Sequence, residues 1–186
     1  MKPSDIPNII SIFRIGIVPA VVVALIYEQY KLALLLFAVA GISDGLDGYI
    51  AKRFNFISRL GSILDPLADK LLLVSTYITL GWLGLLPLWL VMLVIGRDIL
   101  ILLGAFAYHR VFGFYEMAPS WISKTNTFFQ IVLGLAVVLI ASGVNFPDIL
   151  LWILIYVVTA TTIMSGIGYV WTWGSRAYRA RQNMGQ

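Results

Sequence analysis

The chain has 186 residues, is 60% hydrophobic and only 12% charged, and carries a formal net charge of +4. An ordinary soluble domain is about half apolar and a quarter charged, so a soluble globular enzyme, a disordered chain and a conventional nucleic-acid-binding module are all excluded. With no cysteine in the chain, disulfides, thiolate metal sites and a cysteine nucleophile are excluded too.

Six stretches reach the roughly 20 apolar residues that a membrane-spanning helix needs. In chain order they are Ile9–Tyr27, Leu32–Ile50, Leu60–Gly81, Pro87–Tyr108, Lys124–Ser142 and Asp148–Trp173. The expected fold class is all-α, a polytopic membrane protein with six transmembrane helices forming one catalytic domain over 1–186. Ahead of the first span, Lys2 and Asp5 beside Ile6, Pro7, Ile9 and Ile10 read as a short interfacial segment rather than a cleaved signal.

An even number of spans puts both termini on one side. That side collects Lys2, Lys52, Arg53, Arg59, Arg110, Lys124, Arg176, Arg179 and Arg181, against Lys31 alone on the other. The positive-inside rule makes the basic side cytoplasmic. The cationic excess then faces anionic lipid headgroups, and nucleic acid is not an expected partner.

Charges within or at the ends of spans are the informative residues. Asp44 and Asp47 close the second span, Asp65 and Asp69 open the third, Arg14 lies in the first, and Arg97 with Asp98 in the fourth. A charge near the bilayer centre costs at least about 2.5–3.5 kcal/mol. Asp44 and Asp47 are three residues apart, so they share a helix face that continues through Gly48 and Ala51. Gly61, Asp65, Ala68 and Asp69 likewise share a face on the next helix. Clustered carboxylates repel, and divalent cations relieve the repulsion. An oxygen-only donor set favours Mg²⁺ or Mn²⁺ over zinc, and two such ions can clamp a phosphoryl group during displacement. The bland alternative is ion pairing, with Lys70, Arg14 and Arg97 as available partners. A cation or proton transporter is the non-enzyme alternative, but transporter sites sit near the midplane, whereas these acids lie at span ends on the basic side.

The stretch DGLDGYIAKRFNFISRLGSILDPLAD, residues 44–69, resembles the signature of the CDP-alcohol phosphatidyltransferases, D-x-x-D-G-x-x-A-R-x8-G-x-x-x-D-x-x-x-D. Asp44, Asp47, Gly48, Ala51, Gly61, Asp65 and Asp69 fill seven of its eight positions. The departure is Lys52, which keeps the charge of the family arginine but not its bidentate fork. The resemblance continues through PNIISIFRIGIVP, the GRD at 96–98 and SWISKTN at 120–126. It implies a six-helix membrane fold, usually homodimeric, with its active site at the cytoplasmic end. CDP-diacylglycerol binds with its pyrophosphate on two metal ions held by Asp44, Asp47 and Asp65, with Asp69 near them. Asp44, Gly48, Ala51, Lys52, Gly61 and Asp65 surround the nucleotide. Asp69 acts as general base on the acceptor hydroxyl, which attacks the lipid-side phosphorus and displaces CMP. Arg97, Lys124, Arg110 and Asn126 correspond to the acceptor pocket. Two branches fit, with phosphatidylglycerol or glycerol-3-phosphate as acceptor. Asn126, where the glycerol-phosphate branch commonly has a second lysine, favours phosphatidylglycerol and hence cardiolipin as product.

Overall fold

A computed structural model describes the backbone over residues 6–54, 61–112 and 121–184, and the side chains over 10–43, 67–104 and 121–172. Among the described residues there are six helices and no strand. They are α1 (Ile6–Ile26), α2 (Tyr30–Phe54), α3 (Gly61–Trp82), α4 (Leu88–Phe112), α5 (Trp121–Ala141) and α6 (Asp148–Met184). Each overlaps one of the six apolar stretches expected from the sequence. Two differences stand out. Ile6–Ile10 is the first turn of α1 itself rather than a separate segment. And α6 runs 37 residues, about 56 Å, well beyond a hydrocarbon core of roughly 30 Å. After Gly174 it carries Arg, Ala, Gln and Met, good helix formers with no proline among them, so nothing in the sequence stops it where the apolar stretch ends.

The connections between helices follow from backbone chemistry. α1, α3 and α5 each end in a left-handed residue that lets a following N–H reach back to the last turn. At Glu28 (φ 56°) the Gln29 N–H bonds the Ala24 carbonyl at 2.8 Å; at Gly84 (φ 74°) the Leu85 N–H bonds the Leu80 carbonyl at 2.9 Å; at Gly143 (φ 93°) the Val144 N–H bonds the Leu139 carbonyl at 3.3 Å. Two of the three are glycines, the residue that accepts this conformation without a Cβ clash. α1 also tolerates Pro19 in its interior, where the ring removes the N–H that would bond the Ile15 carbonyl.

Trp121–Ala141 and Asp148–Thr172 are long and apolar enough to cross a membrane, while Ile10–Ile26 and Tyr30–Ser43 are apolar over shorter lengths. The polarity of the described surface is inverted relative to a soluble protein. Ile12, Phe13, Leu35, Met92, Leu102, Trp152 and Tyr156 are exposed, while Arg14, Arg97, Asp98, Asn126, Gln130 and Ser165 are buried. Water would penalise that arrangement and lipid favours it.

The chain forms two compact units. One comprises residues 1–87 with 134–146, the other 88–133 with 147–186. In the first, α1 packs against both α2 and α3, with Val21, Leu25, Ala33, Ala68, Tyr77 and Leu80 in its core. A Cβ on Gly134 would stand 3.8 Å from the Tyr77 ring, an ordinary contact, so this part of α5 lies beside α3. In the second, α4 packs against α6, with Leu90, Val94, Leu133 and Val158 buried.

Candidate active site

The signature residues belong to the first unit. Asp44, Asp47, Gly48, Ala51 and Lys52 stand on the last turns of α2, and Gly61, Asp65 and Asp69 on the first turns of α3. The connector between the helices, 55–60, and the side chains of Asp44, Asp47, Lys52 and Asp65 lie outside the described residues. The expected cage of four carboxylates therefore rests on helix register: two acids one turn apart on each of two helices that both pack on α1. Asp69 is described fully. Its side chain is about half exposed (49%) and forms an ion pair with Nη1 of Arg14, which is 1% exposed and reaches over from α1. A buried guanidinium requires an anionic partner, and Asp69 supplies it across 55 residues of sequence. The ion pairing weighed as the bland alternative for one acid is thus present at Asp69, in the residue expected to be the base.

The second unit holds Arg97 on α4 and Lys124 and Asn126 on α5. Arg110 is also on α4, with its side chain outside the described residues. Arg97 is 6% exposed and is held on every side. Nε donates to the Ser165 hydroxyl at 3.1 Å and Nη1 to the Asp98 carboxylate at 2.7 Å. Nη2 donates to the hydroxyls of Ser123 and Ser165, and the guanidinium lies 5.8 Å from the centre of the Tyr169 ring. A guanidinium has five N–H donors. Four are engaged in these bonds, which leaves one for a further acceptor. Asp98, its neighbour on α4, forms an ion pair with Arg97.

Asn126 is fully buried. Its Oδ1 accepts from the hydroxyls of Thr161 at 2.8 Å and Thr162 at 2.9 Å, while Nδ2 has no hydrogen-bond partner among the described residues. A buried amide N–H₂ without a partner costs roughly 1–3 kcal/mol, so this end of Asn126 is a ready donor. Lys124 is exposed, its ammonium 5.5 Å from the centre of the Trp121 ring.

The sequence reading missed Ser123, Thr162, Ser165 and Tyr169. The signal was there in the spacing. Ser123, Asn126 and Gln130 stand at 0, +3 and +7 on α5, and Thr162, Ser165 and Tyr169 at 0, +3 and +7 on α6. That period marks one polar stripe on each of two otherwise apolar helices.

The family model for CDP-alcohol phosphatidyltransferase matches residues 4–178. The chain belongs to the CDP-alcohol phosphatidyltransferase family. Human cardiolipin synthase (CMP-forming) is 35% identical over 185 residues, covering 90% of this chain and 61% of the relative. Cardiolipin synthase (CMP-forming) of Streptomyces coelicolor is 34% identical over 146 residues, covering 74% of this chain and 66% of the relative. The CDP-diacylglycerol–glycerol-3-phosphate 3-phosphatidyltransferase of Blochmanniella floridana is 31% identical over 177 residues, covering 90% of each. The chain thus spans about three fifths of the human family member and nearly all of the Blochmanniella one. Its own aspartate signature falls inside the family match.

Proposed function

We propose that the protein is an integral membrane phosphatidyltransferase of phospholipid biosynthesis. It transfers the phosphatidyl group of CDP-diacylglycerol to a hydroxyl of a glycerol-type acceptor and releases CMP. Phosphatidylglycerol is the acceptor and cardiolipin the product. The observation that carries this reading is the aspartate signature filled at seven of eight positions on α2 and α3 in a chain whose relatives include cardiolipin synthases. The glycerol-3-phosphate reading is the alternative, favoured by the Blochmanniella relative. Asn126 weighs against it, because a neutral amide suits a phosphodiester better than a phosphomonoester. The chain is read as one catalytic domain with six spans, both termini and the active site on the cytoplasmic side, working as a homodimer in the lipid bilayer.

The donor set fits divalent ions. Asp44, Asp47, Asp65 and Asp69 offer carboxylate oxygens at two successive turns of two helices, and the chain has no cysteine and a single histidine. Such a set selects Mg²⁺ or Mn²⁺. Among the described residues no trio of potential ligands gathers, since only Asp69 of the four has a described side chain. When bound, the ions neutralise the pyrophosphate and stabilise departing CMP. The chain's own residues do the rest. Gly48, Ala51 and Gly61 leave room for the nucleotide beside Asp44 and Asp65, and Lys52 offers it a cation. Asp69, oriented by Arg14, takes the proton of the acceptor hydroxyl as its oxygen bonds to the phosphatidyl phosphorus and the bond from phosphorus to the CMP oxygen breaks. Arg97 through its remaining N–H, Asn126 through Nδ2, and Lys124 and Arg110 by charge bind the acceptor.

The test is CMP release from labelled CDP-diacylglycerol by purified protein with Mg²⁺ or Mn²⁺, with phosphatidylglycerol and glycerol-3-phosphate offered separately. Labelled cardiolipin is expected from the first, and Asp65→Asn should abolish it while the protein stays folded. Full activity in both Asp65→Asn and Asp69→Asn would overturn the residue roles. Ion-driven cation flux into vesicles without CMP release would favour the transporter reading.

A further inference from the structure

Within the second unit, α4 and α6 enclose a groove of about 810 Å³ lined chiefly by Met92, Gly96, Leu100, Ile163, Ile167 and Trp171. Arg97 and Thr162 also border it. The Arg97 guanidinium is held by Ser123, Ser165 and Asp98, and the Thr162 hydroxyl is given to Asn126. What Arg97 adds to the wall is therefore chiefly its methylene stem. Two glycines deepen the groove. A Cβ at Gly96 would meet nothing within 4 Å, and one at Gly166 only the Cγ of Arg97 at 4.0 Å.

The dimensions and position match one kind of occupant. Met92 to Leu100 is eight helical steps and Thr162 to Trp171 nine, about 12 and 14 Å. That is close to one leaflet of a hydrocarbon core about 30 Å thick. The groove occupies the C-terminal end of the apolar span Asp148–Thr172. α6 then continues as helix through Arg176, Arg179 and Arg181, about 8–15 Å beyond Trp171 along the axis. An apolar slot one leaflet long that ends where a cationic segment begins is complementary to a lipid with a fatty tail and an anionic headgroup.

We infer that this α4–α6 groove holds an acyl chain of the acceptor phosphatidylglycerol. The inference rests on the acceptor proposed above and adds how it is chosen: the enzyme selects its acceptor partly by tail, which glycerol-3-phosphate lacks, and partly by net negative charge, which phosphatidylcholine lacks.

The full chain in phosphatidylcholine nanodiscs is irradiated with phosphatidylglycerol carrying a diazirine in one acyl chain, and adducts are mapped by mass spectrometry. Adducts are expected on peptides covering 92–100 and 162–171, reduced at least fivefold by excess unlabelled phosphatidylglycerol and not by further phosphatidylcholine. Gly96→Leu, which projects into open space, and Ile163→Trp, which fills the groove from the other helix, should each lower these adducts about tenfold. Gly168→Leu, on α6 but outside the groove and also facing open space, should leave them unchanged. Adducts spread over other exposed residues such as Trp152 and Tyr156 without competition would overturn the inference. So would competition by CDP-diacylglycerol in place of phosphatidylglycerol, or cross-links from the groove to a second copy of the chain. CMP release is followed on the same samples. Release with phosphatidylglycerol but no groove adduct defeats the groove alone, whereas no release with phosphatidylglycerol defeats the acceptor assignment.

Discussion

Arg97→Met is the substitution from which most can be learned about the second unit. The guanidinium is 6% exposed, makes four hydrogen bonds and ties α4 to Ser123 of α5 and Ser165 of α6. Methionine keeps most of the apolar volume and removes the charge and every donor. Asp98, also 6% exposed, then loses the guanidinium it pairs with at 2.7 Å. Breaking one side of a buried pair costs about 3–5 kcal/mol, because the remaining charge stays in a medium that solvates it poorly. The lower end applies here, about 3 kcal/mol, since two serine hydroxyls can turn toward other acceptors. At about 2–4 °C per kcal/mol for a chain of this size, the melting midpoint should fall by about 6–12 °C.

The assay is thermal unfolding in detergent followed by circular dichroism, with a double-mutant cycle against Asp98→Asn. Removing both charges should recover part of the loss, because a share of the cost lies in burying a carboxylate that no longer faces the guanidinium. Arg97→Lys should fall between, keeping the charge but not the fork that reaches two helices at once. An Arg97→Met protein that melts within 2 °C of the original would refute this reasoning. A double variant no more stable than Arg97→Met would refute the electrostatic part alone.

Three further outcomes are expected. Arg14→Met and Asp69→Asn should each destabilise, with a coupling energy of about 1–2 kcal/mol in a double-mutant cycle; this lies between exposed and buried pairs because only Arg14 is fully enclosed, and strict additivity would refute the pair. Chelation with EDTA should abolish CMP release, Mg²⁺ or Mn²⁺ should restore it, and Asp44→Asn should raise the Mg²⁺ needed for half activity; turnover in chelator would defeat the metal assignment. Gly84→Ala, at φ 74° with open space around its Cβ, should cost about 1 kcal/mol through backbone strain alone, read as a small fall in melting midpoint with activity unchanged.

How legible the molecule was in its sequence depends on the range of the interaction. Helix existence is local. Apolar runs of spanning length mark the helices, and the observed boundaries fall within a few residues of those runs at most ends. The continuation of α6 to Met184 was missed because hydropathy marks where lipid ends, while the helix ends only where backbone bonds do. The aspartate signature identified the family because its spacing follows helix register within α2 and α3. Partner choice was not legible. Lys70, Arg14 and Arg97 were all available mates for a motif acid, and it is the packing of α1 against α3 that gives Arg14 to Asp69, while Arg97 takes Asp98.

The two arginines carry the same lesson in chemical form. Each is a buried cation in an apolar chain, and neither is left with its charge unanswered. An apolar interior offers no water to satisfy such a group, so a buried arginine has to bring its anion with it. That requirement separates binding from architecture at both positions. Arg97 spends four donors on the protein, so its capacity for an acceptor phosphate is a single N–H rather than a bidentate fork. On the proposed reading, much of the attraction for an anionic acceptor comes from less engaged groups. Lys124, exposed beside Trp121, and the buried Nδ2 of Asn126 have the freedom that Arg97 lacks.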